Sequence, residues 1–143
     1  MSIGIAACHL NSLTLHSFSG APPCDTSTKE KLLIMIERRE KNVNIWLNAK
    51  ALIIDEISMI DGEFFYQLNF VANELREALN QKQMWDGMQL VVTGDFFQLP
   101  PVRPQNPYKF FAFQADCWNE CFAKQIHLTR VFRQSDTDLV EML

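Results

Sequence analysis

The stretch ALIIDEISMID, residues 51–61, decides the fold because an apolar run ends there in two adjacent carboxylates, Asp55 and Glu56. A strand that is apolar on both faces is typical of a parallel sheet that is covered on both sides. Ligands bind such sheets at the carboxyl ends of the strands. The stretch therefore predicts a buried strand at residues 51–55 with an acidic site at its end.

Three further apolar runs extend this pattern: IGIAAC at residues 3–8, QLVVTGD at 89–95 and IHLT at 126–129. Each predicts a strand, and the strands alternate with helical segments. This alternation predicts an α/β fold, with a mostly parallel sheet and helices on both faces. Asp55, Glu56 and Asp95 then lie at strand carboxyl ends, where we expect them to converge on one crevice.

Helical signals lie between the predicted strands. LTLHSF at residues 13–18 predicts one or two helical turns, and STKE at 27–30 has capping-box spacing with Ser27 as the N-cap. The helix that STKE begins should end in the charged run at 37–41. Asp61 can cap a longer helix that covers the sheet. Its apolar residues recur every three or four positions: Phe64, Leu68, Val71, Leu75 and Leu79.

The chain between the last two predicted strands is rich in proline and aromatic residues. Residues 96–113, FFQLPPVRPQNPYKFFAF, predict a loop that packs over the sheet edge, with Phe96 and Phe97 in the core. Cys117 and Cys121 follow on one face of a short helix. This arrangement favours packed thiols over the closely paired ligands of a zinc site.

Composition limits the kinds of protein to consider. The chain has 143 residues, of which 48% are hydrophobic, so we expect one domain. The net charge of −4 argues against a protein that coats nucleic acid, and any contact with DNA should be local. No apolar run approaches the roughly 20 residues that span a bilayer, so we expect no membrane partner. The low cysteine content favours a reducing, intracellular compartment.

An apolar strand that ends in Asp-Glu suits a nucleotide-hydrolysing site. In such a site the aspartate holds magnesium and the glutamate polarises the attacking water. The alternative is a solvated acid pair at a strand end. GDFFQLPP at residues 94–101 favours the site, because it adds a second strand end with a glycine, an acid and the amide of Gln98, which could sense a γ-phosphate or a water molecule.

Four blocks together resemble, in order and spacing, the first motor domain of the Pif (petite integration frequency) family of DNA helicases. They are GIAACHLNSLTLHSFSG at residues 4–20, ALIIDEISMID at 51–61, QLVVTGDFFQLPPV at 89–102 and LTRVFRQ at 128–134. The resemblance implies a RecA-like P-loop NTPase fold. It also implies an enzyme that uses ATP and Mg²⁺ to move 5′ to 3′ along single-stranded DNA and to unwind duplex and G-rich structures.

The resemblance also implies roles for individual residues. At the nucleotide they are Asp55 for magnesium, Glu56 as the catalytic base, Gln98 at the γ-phosphate, Gly94 and Asp95 in support, and Arg133 at the phosphates. Thr14, His16 and Ser17 correspond to the segment that grips the DNA backbone. For His16 the alternative is a capping or packing histidine. A metal hydrolase built on Asp55, Glu56 and Asp95 would leave Gln98 and Arg133 without a role.

Departures from the family pattern limit what this chain can do. Residues 1–143 contain no G-x-x-x-x-G-K-[ST] run, and Ile3 stands where the family commonly has threonine. We also expect no second motor domain within these residues. We therefore expect a partial RecA-like domain without the Walker A segment, with at most weak ATP affinity. It is either a fragment of a helicase of the nucleus or mitochondrion, acting in DNA repair, recombination and telomere maintenance, or a non-catalytic remnant that binds DNA or a partner.

Overall fold

The computed structural model describes residues 13–22, 28–76, 84–102 and 106–130. Its regular elements are helices α1 (Leu15–Ser19), α2 (Lys29–Glu37), α3 (Glu40–Asn48), α4 (Gly62–Arg76) and α5 (Trp118–Cys121), and strands β1 (Ala51–Ile54) and β2 (Gln89–Val92). Short 3₁₀ segments lie at Ile57–Met59, Met84–Gly87, Pro107–Lys109 and Ala112–Gln114. Helix α4 lies between the two strands in sequence.

The two strands form a parallel pair, with Ala51 opposite Gln89 and Ile54 opposite Val92. The predicted strands at residues 51–55 and 89–95 are therefore confirmed, although each ends before its acid. Burial on both faces was wrong for the described sheet. Leu52 and Ile54 are buried, whereas Ile53 is 70% exposed and Val91 is 40% exposed. In the described part of the chain, nothing packs closely over the second face.

Helix α4 follows the sequence prediction closely. The Asp61 carboxylate accepts a hydrogen bond from the Phe64 amide at 2.9 Å, which caps the first turn. Phe64, Leu68 and Val71 are all buried, so the predicted apolar stripe faces the core. Leu75 packs partly against the same core. Leu79 lies outside the described residues.

Helices α2 and α3 pack beside α4. The predicted Ser27 cap lies outside the described residues, and the observed N-cap of α2 is Thr28. Helix α2 ends at Glu37, at the start of the predicted charged run. Sequence analysis did not predict α3, because its asparagines and β-branched residues are only modest helix formers. Its buried Trp46 and its contacts with α1 and α4 stabilise it instead.

The predicted third strand at residues 126–129 is wrong. This segment has no place in the described sheet, and Ile126 and Leu128 are 71% and 84% exposed. An apolar run becomes a strand only when another backbone pairs with it, and the sequence pattern does not reveal that partner. The predicted strand at residues 3–8 lies outside the described residues. No described helix has the length and apolar character needed to cross a membrane.

Aromatic side chains form much of the core. Trp85 stacks on Trp46 and meets the edge of Phe65, and Phe65 also contacts Trp118. The packed-thiol prediction agrees with the structure, because Cys117 is buried and the Cys121 sulfur accepts a hydrogen bond from Trp85 Nε1 at 3.2 Å. The hydrogen bond to Cys121, together with burial, raises the pKa of Cys117.

The first two phenylalanines of the proline-rich loop differ in burial. Phe96 is partly buried, and its ring meets Phe113 edge-on with centroids 4.8 Å apart. Phe97 is 90% exposed, so its predicted place in the core was wrong. Hydrogen bonding explains the difference, because the Phe97 amide is bound to the Asp95 carboxylate in a tight turn that directs the ring outward.

Candidate nucleotide and DNA site

Asp55 follows the carboxyl end of β1 and is fixed from two sides. Its Oδ1 atom accepts a hydrogen bond from the Thr93 hydroxyl at 2.5 Å and another from the Glu56 amide at 3.0 Å. Thr93 directly follows β2, so this contact joins the ends of both strands. In the described residues Oδ2 has no hydrogen-bond donor and Asp55 is exposed, which leaves one carboxylate oxygen free to hold a cation.

Glu56 has a left-handed backbone, with φ 56° and ψ 47°. Residues other than glycine seldom adopt this conformation, and it often occurs where a side chain is held for a function. It ends the strand direction and starts the 3₁₀ segment Ile57–Met59. Glu56 is half-buried, and its backbone amide donates to the Asp55 carboxylate.

Gly94 packs directly against this acidic turn. A Cβ atom at Gly94 would lie 2.9 Å from the Ile57 nitrogen and 3.0 Å from Ile57 Cγ2. The Ile57 amide donates to the Thr93 carbonyl at 2.9 Å, and the Thr93 amide donates to the Ile54 carbonyl at the same distance. Only a residue without a side chain allows this approach, so Gly94 sets the spacing between the two loops.

Asp95 organises the turn that follows. Its Oδ1 atom accepts from the Phe97 amide at 2.9 Å, and its Oδ2 atom accepts from the Gln98 side-chain nitrogen at 3.0 Å. The hydrogen bond from the Phe97 backbone, followed by the one from the Gln98 side chain, lowers the pKa of Asp95. Gln98 is exposed, and its amide is held by Asp95.

The predicted acids thus share one edge of the sheet but have different partners. Asp55 and Glu56 form one group with Thr93, and Asp95 forms another with Gln98. No hydrogen bond between described residues joins the two groups. Arg133 lies outside the described residues, and its contact with the nucleotide stays a prediction.

Thr14 and Ser17 lie together on α1. Thr14 is the N-cap of this helix, where its hydroxyl accepts from the Ser17 amide at 3.1 Å and donates to the Ser17 hydroxyl at 2.8 Å. Ser17 is exposed and Thr14 is partly exposed. The hydroxyl pair is therefore accessible, and the cap fixes both side chains in one geometry.

His16 is a packing residue in this structure. Its ring stacks on Phe64, with centroids 5.0 Å apart and planes at 11°. Burial lowers the pKa of His16, and the negative charge of Asp61 partly opposes this shift. The alternative that the sequence left open for His16 thus agrees with the observed ring contact.

The donor set fits magnesium only together with a nucleotide. Among the described residues, no cluster of three or more histidine, cysteine, aspartate or glutamate side chains is placed to hold a metal ion. Magnesium commonly uses one or two carboxylates and takes its other oxygens from phosphates and water. One free oxygen on Asp55 fits that mode, whereas a site made entirely of protein ligands does not.

Sequence analysis missed two parts of the site. It did not name Thr93, although the parallel register of QLVVTGD with ALIID could have placed this hydroxyl beside Asp55. It also missed side chains of α3 that bind the carbonyl groups of α1, because α3 itself was not predicted. The first signal was available in the pattern, and the second required the tertiary contact.

Parallel strands with acids at their carboxyl ends, packed beside helices, define a partial RecA-like α/β domain. Residues 1–142 match the model of the PIF1-like helicase family, and this chain belongs to that family. The chain is 44% identical to the ATP-dependent DNA helicase PIF1 of Emericella nidulans over 143 residues, covering 99% of this chain and 19% of that protein. It therefore spans about a fifth of that relative's length.

Solved structures agree with this assignment. The crystal structure of Pif1 helicase from Candida albicans matches with a TM-score of 0.83 and 40% identity, covering 99% of this chain and 31% of that one. Pif1 helicase from Bacteroides, crystallised with ADP-AlF3 and single-stranded DNA, matches with a TM-score of 0.70 and 26% identity. That match covers 98% of this chain and 33% of the Bacteroides chain.

Proposed function

We propose that this chain is part of the first motor domain of an ATP-dependent 5′ to 3′ DNA helicase. The observation that carries the proposal is the Asp55 carboxylate, which the Thr93 hydroxyl and the Glu56 amide fix at the joined ends of two parallel strands. The family assignment and the similarity to a nucleotide-bound Pif1 helicase support it. The substrates are ATP and single-stranded DNA, together with duplex or G-rich DNA.

Asp55 would hold magnesium through its free oxygen, and Glu56 would take the proton from the attacking water. Magnesium supplies charge neutralisation at the phosphates. The left-handed backbone at Glu56 supports different roles for the two acids. It turns the chain, so the side chains of Asp55 and Glu56 do not simply point to opposite faces as neighbours in a strand do. Glu56 is thereby free to act as a base while Asp55 is engaged.

Gln98 contacts the γ-phosphate, with Gly94 and Asp95 in supporting positions. Gly94 keeps the second loop against the acidic turn, and Asp95 orients the Gln98 amide through a 3.0 Å hydrogen bond. Arg133 supplies positive charge to the same phosphates. A guanidinium group suits that role because it stays charged and can donate to two phosphate oxygens at once.

Thr14 and Ser17 contact the DNA backbone as a hydroxyl pair at the start of α1: Ser17 donates to a phosphate oxygen, and Thr14, which donates to the Ser17 hydroxyl, orients it. His16 completes this segment by packing its ring against α4, and its nitrogen atoms contribute where they reach solvent. Neutral donors of this kind contact phosphate without a basic patch. The proposal therefore agrees with the net charge of −4.

By itself, the 143-residue chain binds ATP weakly, because it contains no G-x-x-x-x-G-K-[ST] run to cradle phosphates. We propose that other segments of a longer helicase supply this run and the second motor domain. The parent enzyme acts in DNA repair, recombination and telomere maintenance, in the nucleus or the mitochondrion. A non-catalytic remnant that keeps the fold and binds DNA or a partner is the second candidate.

ATP hydrolysis tests the proposal. In the complete protein that contains this sequence, we expect DNA-stimulated hydrolysis that Glu56→Gln abolishes, while Glu63→Gln on the first turn of α4 leaves it unchanged. The isolated chain should hydrolyse ATP no faster than buffer. A complete protein that binds single-stranded DNA but shows no hydrolysis would establish the non-catalytic candidate, and DNA-stimulated hydrolysis by the isolated chain would contradict weak ATP affinity.

A further inference from the structure

Helix α3 and its N-cap residue, Arg39, bind four consecutive carbonyl groups at the end of α1, those of residues 17–20. The donors are Asn42 Nδ2 to the Ser17 and Phe18 carbonyls, both at 3.3 Å, Trp46 Nε1 to the Ser19 carbonyl at 3.3 Å, and Arg39 Nη1 to the Gly20 carbonyl at 3.0 Å. The last carbonyls of a helix have no partner within the helix. Here the side chains of α3 satisfy them.

The spacing of the donors explains the fit. Asn42 and Trp46 lie four residues apart, which places them on one side of α3, and Arg39 is the N-cap residue directly before the helix. Gly20 ends α1 in the left-handed region with φ 80°, and a Cβ atom there would lie 2.9 Å from Asn42 Cγ. The C-terminal end of α1 is therefore in direct contact with α3.

Helix α1 needs this support because it has only five residues. Short helices are marginal in water, and tertiary contacts must hold them. Its exposed hydroxyl pair, Thr14 and Ser17, lies at the opposite end from Gly20. A rotation or tilt of α1 at its carbonyl end would therefore displace the hydroxyl groups that we assign to DNA.

We propose that Arg39 and Asn42 are positioning residues for DNA binding, acting through α1 on Thr14 and Ser17. The inference rests on the proposed function, since it assumes that these hydroxyls contact the phosphate backbone. Arg39 and Asn42 do not themselves touch DNA in this scheme. They hold the orientation in which the Ser17 hydroxyl, itself held by Thr14, donates to a phosphate oxygen, so their effect on DNA affinity depends on this hydroxyl pair being present.

The test measures binding of a fluorescein-labelled single-stranded oligonucleotide by anisotropy, using the complete protein that contains this sequence. Asn42→Leu keeps the side-chain size but removes both donations, and Arg39→Met removes the donation to Gly20. We expect each variant to bind about tenfold more weakly, as the loss of one or two net hydrogen bonds in orientation implies. Asn44→Leu, at an exposed position on the same helix, is the matched control and should bind normally.

A double-mutant cycle separates positioning from general damage to the fold. In a Thr14→Ala/Ser17→Ala background, Asn42→Leu and Arg39→Met should have no further effect on DNA affinity, because the groups that they position are gone. Melting temperatures measured in parallel verify that every variant is folded at the assay temperature. Arg39 is exposed, so Arg39→Met should leave the protein folded. It therefore provides the test if Asn42→Leu prevents folding.

Three results would overturn the inference, and they differ in what else they overturn. If Thr14→Ala/Ser17→Ala weakens binding but Asn42→Leu and Arg39→Met do not, positioning is wrong and DNA contact by α1 stands. If Thr14→Ala/Ser17→Ala binds as tightly as wild type, both the positioning role and the assigned DNA contact fail. Effects of the α3 variants that simply add to those of the hydroxyl variants also contradict action through α1.

Discussion

The imidazole of His16 lies flat against the ring of Phe64, and this contact joins α1 to the helix that follows the acidic turn. Phe64 is in the first turn of α4, where its amide is held by Asp61. The segment assigned to DNA thus packs directly against the helix that follows the segment assigned to magnesium. A change in the position of α1 would therefore alter the ring contact at the start of α4 directly.

We first predict that protonation of His16 destabilises the fold. Burial lowers its pKa below the usual value of 6.5, so the unfolded chain takes up this proton more readily than the folded one. The contribution of the neutral ring is fully present above pH 6.5 and is lost as the pH falls through 6.5 toward the folded pKa. Urea unfolding at pH 7.5, 6.5 and 5.5 should show the free energy of unfolding decreasing in that order.

His16→Phe is the matched variant, because it keeps an aromatic ring on Phe64 and removes the titration. Its free energy of unfolding should fall less than that of wild type between pH 7.5 and 5.5. Burial raises the pKa of Asp61, so protonation of this carboxyl favours the folded state. Its effect on the free energy of unfolding therefore has the opposite sign to that of His16, being fully present below pH 3.8 and lost as the pH rises through the folded pKa. Equal pH dependence in the two proteins would show that His16 is not the responsible group.

Second, Thr93→Val should weaken the joint between the two strands. Valine has nearly the same shape but cannot donate to Asp55, so the 2.5 Å hydrogen bond is lost. We expect a decrease of about 1 kcal/mol in the free energy of unfolding, the usual net value for one hydrogen bond. Thr93→Ser keeps the hydroxyl and should retain most of the stability. If both variants unfold alike, the hydroxyl does not stabilise the joint.

Third, Gly94→Ala should be destabilising because the added methyl group would meet backbone. The nearest atom, the Ile57 nitrogen at 2.9 Å, belongs to the turn that carries Glu56 and cannot rotate away. Overpacking of this kind typically costs about 1–3 kcal/mol. Thermal unfolding provides the measurement, and Phe97→Ala is the control because Phe97 is exposed in the same loop. A Gly94→Ala protein as stable as wild type would mean that the two loops separate easily.

Fourth, Arg76→Met should be among the most damaging single changes. Arg76 is buried, and its Nη1 atom donates to the Trp46 carbonyl at 2.7 Å and to the Ala49 carbonyl at 2.9 Å. Its Nε atom lies 4.0 Å from the buried Asp86 carboxylate. Removing one partner of a buried ion pair typically costs about 3–5 kcal/mol, because the other charge remains without compensation.

A second substitution tests the reason for that loss. Adding Asp86→Asn to Arg76→Met should recover part of the stability, since the uncompensated charge is then absent. Arg38→Met, at an exposed position, is the control for loss of an arginine. If Arg76→Met is as stable as Arg38→Met, or if the double variant is less stable than Arg76→Met alone, buried charge is not the dominant cause. Urea denaturation measures all four proteins.

The sequence was sufficient where one local pattern controls the result. The strand at residues 51–54 and the cap at Asp61 follow from apolar periodicity and from the chemistry of a carboxylate before a helix. The joint between Asp55 and Thr93 needed the register of two strands that are distant in the chain. Helix α3 was missed because its stability comes from partners such as Arg76, and no property of residues 40–48 reveals a guanidinium group from another helix.

The predicted strand at residues 126–129 failed for a related reason. Apolar character describes what a segment can bury, but a strand also needs a neighbouring backbone in register. The open face around Ile53 shows the same limit, since the run ALII indicates capacity for burial and says nothing of the covering element. The positions of the acids were easier to predict than packing, because a carboxylate that directly follows an apolar strand is placed at the end of that strand by the chain itself.

The aromatic core also gives this molecule an optical property of its own. All three tryptophans of the chain, Trp46, Trp85 and Trp118, are buried in it. Trp46 and Trp85 stack with centroids 6.4 Å apart, close enough for their indole transitions to couple and produce near-ultraviolet circular dichroism. Trp46 also donates a hydrogen bond to the Ser19 carbonyl. The circular dichroism of this tryptophan pair therefore reports the position of α1 without an added label.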